Sequence, residues 1–447
     1  MKEPVNGSED KKMRELNWPF LPGRNIEIER GEGVHLITRQ GQSILDAAGG
    51  AVVCNIGHGR QRVADKVAEA TLDYSYVVPP WITPSRRALV EVLERHWLPN
   101  DLRRIHITSG GSEAVDAAMK MALQYHYAKQ ALSRTKIISR DISYHGTTMA
   151  TIGASGHPAR RRGLEHALGY YPRIPTPYPL RCPLGPHHAG TAAYYAQCLR
   201  ETIEAEGPET IAAFLAEPIT GSSGGAIVPP EDYWRHVRAI CDEYGVLLIL
   251  DEVMTGFGRT GTPFAFQHWD ITPDILVAGK GLAGGYAPLG GVFASENVGT
   301  AIGSAGMNVM FNTFGAHPAA CAAGAEVLTI MVEENLVERS AEMGALLQKR
   351  LIDTFSNHPH VAEVRGRGLL QAIEIVRERD TLTPFDEADN VSNRIVANAL
   401  KKGVFFYGGG TGEVRDIVCM GPAFIIEEQH IETMVEVLLE SLNEVTG

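Results

Sequence analysis

No stretch of the 447-residue chain approaches the roughly 18 consecutive apolar residues that a membrane-spanning helix requires. The opening segment, Met1 to Met13, is polar and charged and lacks the apolar core of a signal peptide, so a cytoplasmic protein is expected. Cysteine is scarce. The six residues Cys54, Cys182, Cys198, Cys241, Cys321 and Cys419 stand singly without CxxC spacing, which argues for reduced, mostly buried thiols over a disulfide framework. Cys182 with His187 and His188 comes nearest to a metal cluster but has no paired ligand spacing, and no metal is expected there. Positive charge is in deficit: 41 Lys and Arg against 53 Asp and Glu give a net charge of −12. Such a chain is a poor partner for nucleic acid or an anionic membrane. Internal repeats and low-complexity runs are also missing, which excludes a solenoid.

What the chain has is glycine, 47 residues beside 25 prolines, clustered between apolar runs and without the G-X-Y period of collagen. Tight turns between strands and helices demand such clusters, so an α/β protein is expected. At about 100–200 residues per domain the length suggests two or three units. Short apolar runs at Ile105–Thr108, Lys136–Ser139, Ala212–Leu215, Val246–Leu250, Ile275–Ala278 and Val292–Ala294 read as strands of a mostly parallel sheet covered by helices. Helical spacing appears from Glu113 to about Gln130, and at Glu231–Tyr244, Pro318–Asn335 and Leu336–Asn357. After about residue 358 the pattern alternates as antiparallel strands do, then two helices flank the Gly-rich stretch Gly408–Gly412. Short strand-like pieces such as Val34–Thr38 occur in the first 60 residues. The chain therefore divides into a large domain over residues 61–340 and a smaller α+β domain built from both ends, 1–60 and 341–447.

Asp251 and Lys280 each sit at the end of a strand, where ligands bind in open α/β sheets. Lysine is rarely buried without a partner, yet Lys280 lies between Gly279 and Gly281 in an apolar context. Desolvation lowers a lysine pKa and makes the amine a nucleophile able to form a Schiff base. A carboxylate facing the pyridine nitrogen of pyridoxal phosphate keeps that nitrogen protonated, which makes the ring an electron sink. The turn Ser109-Gly110-Gly111-Ser112 between strand and helix suits a phosphate, and Tyr144-His145-Gly146 offers a ring to a planar group. A capping aspartate, a loop lysine, an ordinary N-cap and a buried tyrosine compete with these readings one by one.

Taken together and in order, the motifs resemble a known family. Phe214-Leu-Ala-Glu217-Pro218, Leu250-Asp251-Glu252-Val253-Met254-Thr255-Gly256-Phe257-Gly258-Arg259-Thr260-Gly261 and Asp274-Ile-Leu-Val-Ala-Gly279-Lys280-Gly281 resemble the signature of class III aminotransferases, with 29 positions from Asp251 to Lys280. Gly111-Ser112-Glu113-Ala114, Tyr144-His145-Gly146, Asn312-Thr313-Phe314-Gly315-Ala316-His317-Pro318 and Gly366-Arg-Gly368-Leu369 extend the likeness over nearly the whole chain. The resemblance implies pyridoxal-phosphate chemistry on fold type I, the aspartate-aminotransferase-like fold. It implies that Lys280 holds the cofactor and moves the substrate proton, and that Asp251 pairs with the pyridine nitrogen. Gly111 and Ser112 would bind the phosphate, Tyr144, beside His145, would stack on one ring face and Val253 would pack on the other. Glu217 would shape the hydrogen bonds near the ring hydroxyl, and Thr313 would reach the phosphate in a neighbouring subunit. A homodimer, or a dimer of dimers, with shared sites is implied, as is ping-pong transfer of an amino group from an amine or amino acid to a 2-oxo acid such as pyruvate or 2-oxoglutarate. Aminomutases, racemases and decarboxylating enzymes use the same scaffold, and a non-catalytic binding protein is a third reading.

Met254 stands where ornithine and 4-aminobutyrate enzymes commonly carry glutamine, which resembles the ω-amine:pyruvate and diaminopelargonate branches. A mobile carboxylate-binding arginine is not identifiable at a matching position. Arg415 is a substitute, though a strand-edge salt bridge is the expected role. Trp18, Phe20 and Trp81 fall near segments that line the pocket in relatives, and an apolar pocket for an ω-amine is the expectation.

Overall fold

The computed structural model describes residues 26–307 and 311–447. Its fifteen strands form three sheets. The first three, β1 (Ile28–Glu32), β2 (His35–Thr38) and β3 (Ser43–Asp46), form an antiparallel sheet near the N-terminal end. Seven follow: β4 (Arg104–Thr108), β5 (Lys136–Arg140), β6 (Arg173–Ile174), β7 (Ile211–Ala216), β8 (Leu247–Asp251), β9 (Ile275–Ala278) and β10 (Gly290–Ala294). The last five are β11 (Val361–Arg367), β12 (Leu370–Ile375), β13 (Val404–Phe405), β14 (Tyr407–Thr411) and β15 (Val414–Met420).

The seven-stranded sheet has the order β4-β10-β9-β8-β7-β5-β6. Its pairings from β9 through β6 are parallel, while β10 runs antiparallel to both β9 and β4. Strands β7, β8 and β9 are buried along their whole length. Alternation within these uniformly apolar runs decides which layer each residue meets. Ala213, Leu215, Leu247, Ile249, Ile275 and Val277 pack with the Ala- and Met-rich face of the helix Gly111–Ala128. Phe214, Ala216, Leu248, Leu250, Leu276 and Ala278 face the opposite layer with Trp234, Val237 and Leu199.

The other two sheets come from the ends of the chain. β13 adds in parallel to β3, so the N-terminal sheet is completed by residues from beyond position 400. β11, β12, β15 and β14 form an antiparallel sheet against the helices Leu336–Phe355 and Val391–Lys401. The Gly-rich stretch 408–412, which reads from sequence as a connector, lies largely within β14; Gly410 N donates to Ser222 O at 2.8 Å, next to the site described below. The strands foreseen along the central sheet are present with ends shifted by one or two residues, as fraying of ladder ends makes usual.

Two buried arginines join these layers. Arg259 donates to Pro422 O at 2.6 Å and to Leu369 O and Cys54 O at 3.2 Å, and its guanidinium lies 4.6 Å from the Phe424 ring centroid. Arg365 on β11 donates to Gly224 O and Gly225 O at 2.6 Å and pairs with Glu374 at 2.8 Å. Both donate to carbonyls of turn and loop segments distant in sequence, and buried backbone oxygens require such donors. No described helix is long and apolar enough to cross a membrane.

The helix Leu336–Phe355 packs so closely on the turn after β11 that a Cβ at Gly344 would run into the Gly368 backbone carbonyl. Gly303, near the end of the helix Glu296–Ser304, has nothing within 4 Å of the same position. Intrinsic propensity favours alanine over glycine in a helix by about 1 kcal/mol. Gly303→Ala is therefore expected to raise the thermal unfolding midpoint slightly, and Gly344→Ala to lower it by several degrees. A stabilised Gly344→Ala protein in calorimetry would show that the helix does not sit this close to the turn.

Candidate active site

At the carboxyl ends of β4, β5, β7, β8 and β9 the chain surrounds one cavity of about 540 Å³. Lys280 enters it directly after β9. The residue has φ +40°, a conformation that costs a non-glycine residue about 1–3 kcal/mol and persists only where surrounding structure imposes it. Here Asn55 Nδ2 donates to Gly281 O at 2.9 Å and pins the turn. The Lys280 side chain keeps some surface toward the cavity, and its amine has no hydrogen-bond or ion-pair partner among the described residues. Burial is the largest influence on it. It brings the pKa down to about 8 against the opposing pull of Asp251 and Glu217, with Arg259 and Arg160 adding smaller downward effects.

Asp251, the last residue of β8, is 5% exposed. Its Oδ2 lies 2.8 Å from His145 Nδ1, and its Oδ1 accepts from Val253 N at 3.1 Å. His145 is 2% exposed, and its Nε2 is buried without a partner. Glu217, just past β7, accepts from Gly221 N at 2.8 Å and from Tyr144 N at 3.3 Å, while Arg140 donates to its carbonyl. Burial holds the Glu217 carboxyl above its ordinary pKa; the Asp251 charge adds to this, and His145, Arg140 and the Gly221 N–H oppose it. The adjacent Glu252 points away into the protein, where Ala265 N, Phe266 N and Thr255 Oγ1 donate to it at 2.7–3.0 Å. Its burial outweighs those donors and brings its pKa up to about 7.

The turn between β4 and the helix Gly111–Ala128 forms the opposite wall. The first N–H groups of a helix have no acceptor within it and carry the positive end of its dipole. Ser112 Oγ accepts from Thr147 N at 3.1 Å, which leaves its proton free to be donated. Gly111 is required by contact: a Cβ there would sit 2.9 Å from Val253 Cγ1. Tyr144 lines the cavity with its ring beneath the guanidinium of Arg160, 4.6 Å from Arg160 Cζ to the ring centroid.

Eight of the residues singled out from sequence thus meet around one cavity: Gly111, Ser112, Tyr144, His145, Glu217, Asp251, Val253 and Lys280. Thr313 does not join them; it is exposed between the exposed side chains of Phe311 and Phe314. Trp81 is also on the surface, 69% exposed and outside this cavity, while Trp18 and Phe20 lie outside the described residues. Arg415 makes no ion pair among the described residues, contrary to the expected strand-edge salt bridge. Its Nε is buried without a partner, and it does not line the cavity. Sequence reasoning missed Arg160 and Tyr407, which line it, and Arg140, which holds Glu217. The run Arg160-Arg161-Arg162 was the one available signal for the first. Tyr407 carried none, because β14 reaches the site only through tertiary packing.

The sequence profile of the aminotransferase class-III family matches residues 22–442. The uncharacterized aminotransferase YodT of Bacillus subtilis is 35% identical over 431 residues, 95% of this chain and 96% of its own. Among solved structures, the thermostable (S)-enantioselective ω-transaminase of Thermomicrobium roseum superposes with a TM-score of 0.91 at 34% identity, covering all of both chains. The ω-transaminase of Pseudomonas jessenii, in complex with PMP, gives 0.88 at 31% identity, covering 100% of this chain and 96% of its own. With strand-end carboxylates, a buried lysine and a helix N-terminus around one cavity, and with likeness along its full length, this chain belongs to the class III aminotransferases, enzymes that transfer an amino group to a 2-oxo acid.

Proposed function

We propose that this enzyme is a pyridoxal-phosphate-dependent transaminase of the ω-amine type, with pyruvate or a similar 2-oxo acid as acceptor. The observation that carries the proposal is Lys280: an amine without a partner among the described residues, held in a strained backbone conformation and in the field of two buried carboxylates. The pocket also fits the cofactor in shape and donors. Gly111 keeps the wall flat against Val253, and the helix N-terminus with the Ser112 hydroxyl offers donors to a phosphate. Bound there, the cofactor supplies an electron-withdrawing ring that takes up the electron pair left when the substrate Cα–H bond breaks.

Lys280 would hold the cofactor through its neutral amine and is the group placed to move a proton from and back to substrate carbon. Its lowered pKa leaves a substantial neutral fraction near neutral pH. Asp251, oriented by His145 and Val253 N, is the carboxylate that would pair with the ring nitrogen. Glu217 accepts from Tyr144 N and so holds the Tyr144 backbone at the cavity wall, where the ring would stack. Met254, Ile219, Val53 and Leu289 give the cavity an apolar side suited to an amine without a second charge.

We also propose the two-part organisation, with residues 61–340 binding the cofactor and residues 1–60 with 341–447 forming the smaller part. The completion of the N-terminal sheet by β13 supports it. A homodimer with Thr313 serving the neighbouring site is proposed, supported by the exposed apolar side chains Phe311 and Phe314 on either side of Thr313 and by Trp81 and Ile82, which share a surface depression with Phe311.

Lys280→Ala is expected to lower the amine-to-pyruvate turnover at least about a thousandfold, since it removes both nucleophile and proton carrier. Full activity in that variant would refute the assignment. Uptake of pyridoxal phosphate by the cofactor-free enzyme, followed by absorbance, should speed up as pH rises through about 8 and level off above it. A midpoint near the ordinary lysine value of 10.5 would mean that the amine is not desolvated. Thr313→Ala should weaken cofactor retention in a species sedimenting as a dimer. A monomeric, fully active enzyme would end the shared-site proposal.

A further inference from the structure

A 2-oxo acid brings a carboxylate into a cavity that already holds Asp251 and Glu217, so something must offset the added negative charge. Both resident carboxylates are engaged, Asp251 with His145 and Val253 N, Glu217 with Gly221 N and Tyr144 N. Among the described residues lining the cavity, the lysine and arginine side chains are Lys280 and Arg160. Lys280 is assigned to the nitrogen chemistry, which leaves Arg160.

Arg160 sits in the one-turn helix Pro158–Arg161, directly after the buried Ser155-Gly156 turn. Gly156 N donates to Ser143 Oγ at 3.0 Å, so this loop is tied to the segment carrying Tyr144 and His145. The guanidinium lies 4.6 Å from the Tyr144 ring centroid and makes no ion pair among the described residues. It also forms no side-chain hydrogen bond there, so its N–H donors remain available. Stacking on an aromatic face fixes a guanidinium plane while leaving its edge free for a carboxylate, a two-bond geometry that lysine does not reproduce. Its charge reaches the site: Arg160 is among the groups that lower the Lys280 pKa.

We propose that Arg160, stacked on Tyr144, is the anion anchor of this enzyme, binding the carboxylate of the 2-oxo acid acceptor and of the amino acid formed from it. The inference rests on the transaminase reading above and adds to it which side chain sets acceptor class. An amine donor without a carboxylate uses the apolar side of the same cavity, formed by Val53, Ile219, Met254 and Leu289, and does not draw on Arg160.

The test uses the holoenzyme and its variants Arg160→Met and Arg160→Lys. With pyruvate as acceptor, Arg160→Met should lose about 100-fold in kcat/KM, carried mainly by KM, because a charged two-bond contact is removed. With a neutral aldehyde as acceptor the loss should be at least ten times smaller, and Arg160→Lys should recover part of the pyruvate activity. Propionate, which cannot react, should bind the wild type by calorimetry and bind Arg160→Met at least tenfold more weakly. Equal losses for pyruvate and aldehyde, or unchanged propionate binding, would overturn the proposal. A tenfold weaker affinity of Arg160→Met for pyridoxal phosphate would also overturn it, assigning the arginine to the cofactor phosphate. Should the wild type transfer no amino group to any 2-oxo acid, the transaminase reading fails, and propionate calorimetry still decides the role of Arg160.

Discussion

The site depends on keeping a lysine amine out of bulk water beside acids that are themselves buried. Lys280, Asp251, Glu217 and His145 converge past the ends of four adjacent strands, β9, β8, β7 and β5, and each loses hydration by being there. Such a group of ionisable side chains persists only if every remaining hydrogen-bonding atom is supplied by the protein. The supply comes from backbone and side chains fixed by the sheet: Val253 N and His145 for Asp251, Gly221 N and Tyr144 N for Glu217. Among the described residues the Lys280 amine is left without a partner, as is His145 Nε2, and the strain in the Lys280 backbone is borne by the rigid strand before it and by Asn55 behind it.

The same constraint explains the close packing around the cavity. A Cβ at Gly111 would run into Val253, and one at Gly290 would sit 2.6 Å from Gly110 O and Thr108 Oγ1, so the turn before the helix Gly111–Ala128 is pressed against the antiparallel strand β10. Arg259 and Arg365 then close the molecule around the sheet by bonding to carbonyls of segments distant in sequence. The loop carrying Gly221, Ser222, Gly224 and Gly225 is held by Arg365 on one side and by β14 on the other, and it donates to Glu217. The C-terminal sheet thus acts on the site through that loop, and Tyr407 enters the cavity from the same strand.

Much of this was legible beforehand, because local physics wrote it. Strands β7, β8 and β9 are buried on both faces and therefore appear as unbroken apolar runs, with Asp251 and Lys280 marking their ends. The helix from Gly111 shows its small apolar face at helical spacing. Stretch 408–412 was not readable as a strand, since four glycines among five residues carry no alternation. Its extended form is imposed by pairing with β15. The salt bridge expected of Arg415 is not formed for a related reason: an ion-pair partner could only come from tertiary packing, and no described carboxylate is placed within ion-pair distance of it.

The sequence by itself determined the fold class, the order of elements and the chemical types at the strand ends, since these follow from apolar periodicity and from turns that only certain residues allow. The tertiary structure decided which of those residues share a cavity. It brought Asp251 within 2.8 Å of His145, 106 positions away, set Arg160 over Tyr144, and left Thr313 on the surface. It also decided the state of Lys280, because a pKa near 8 is a property of surroundings assembled from five strands and not of any local run of residues.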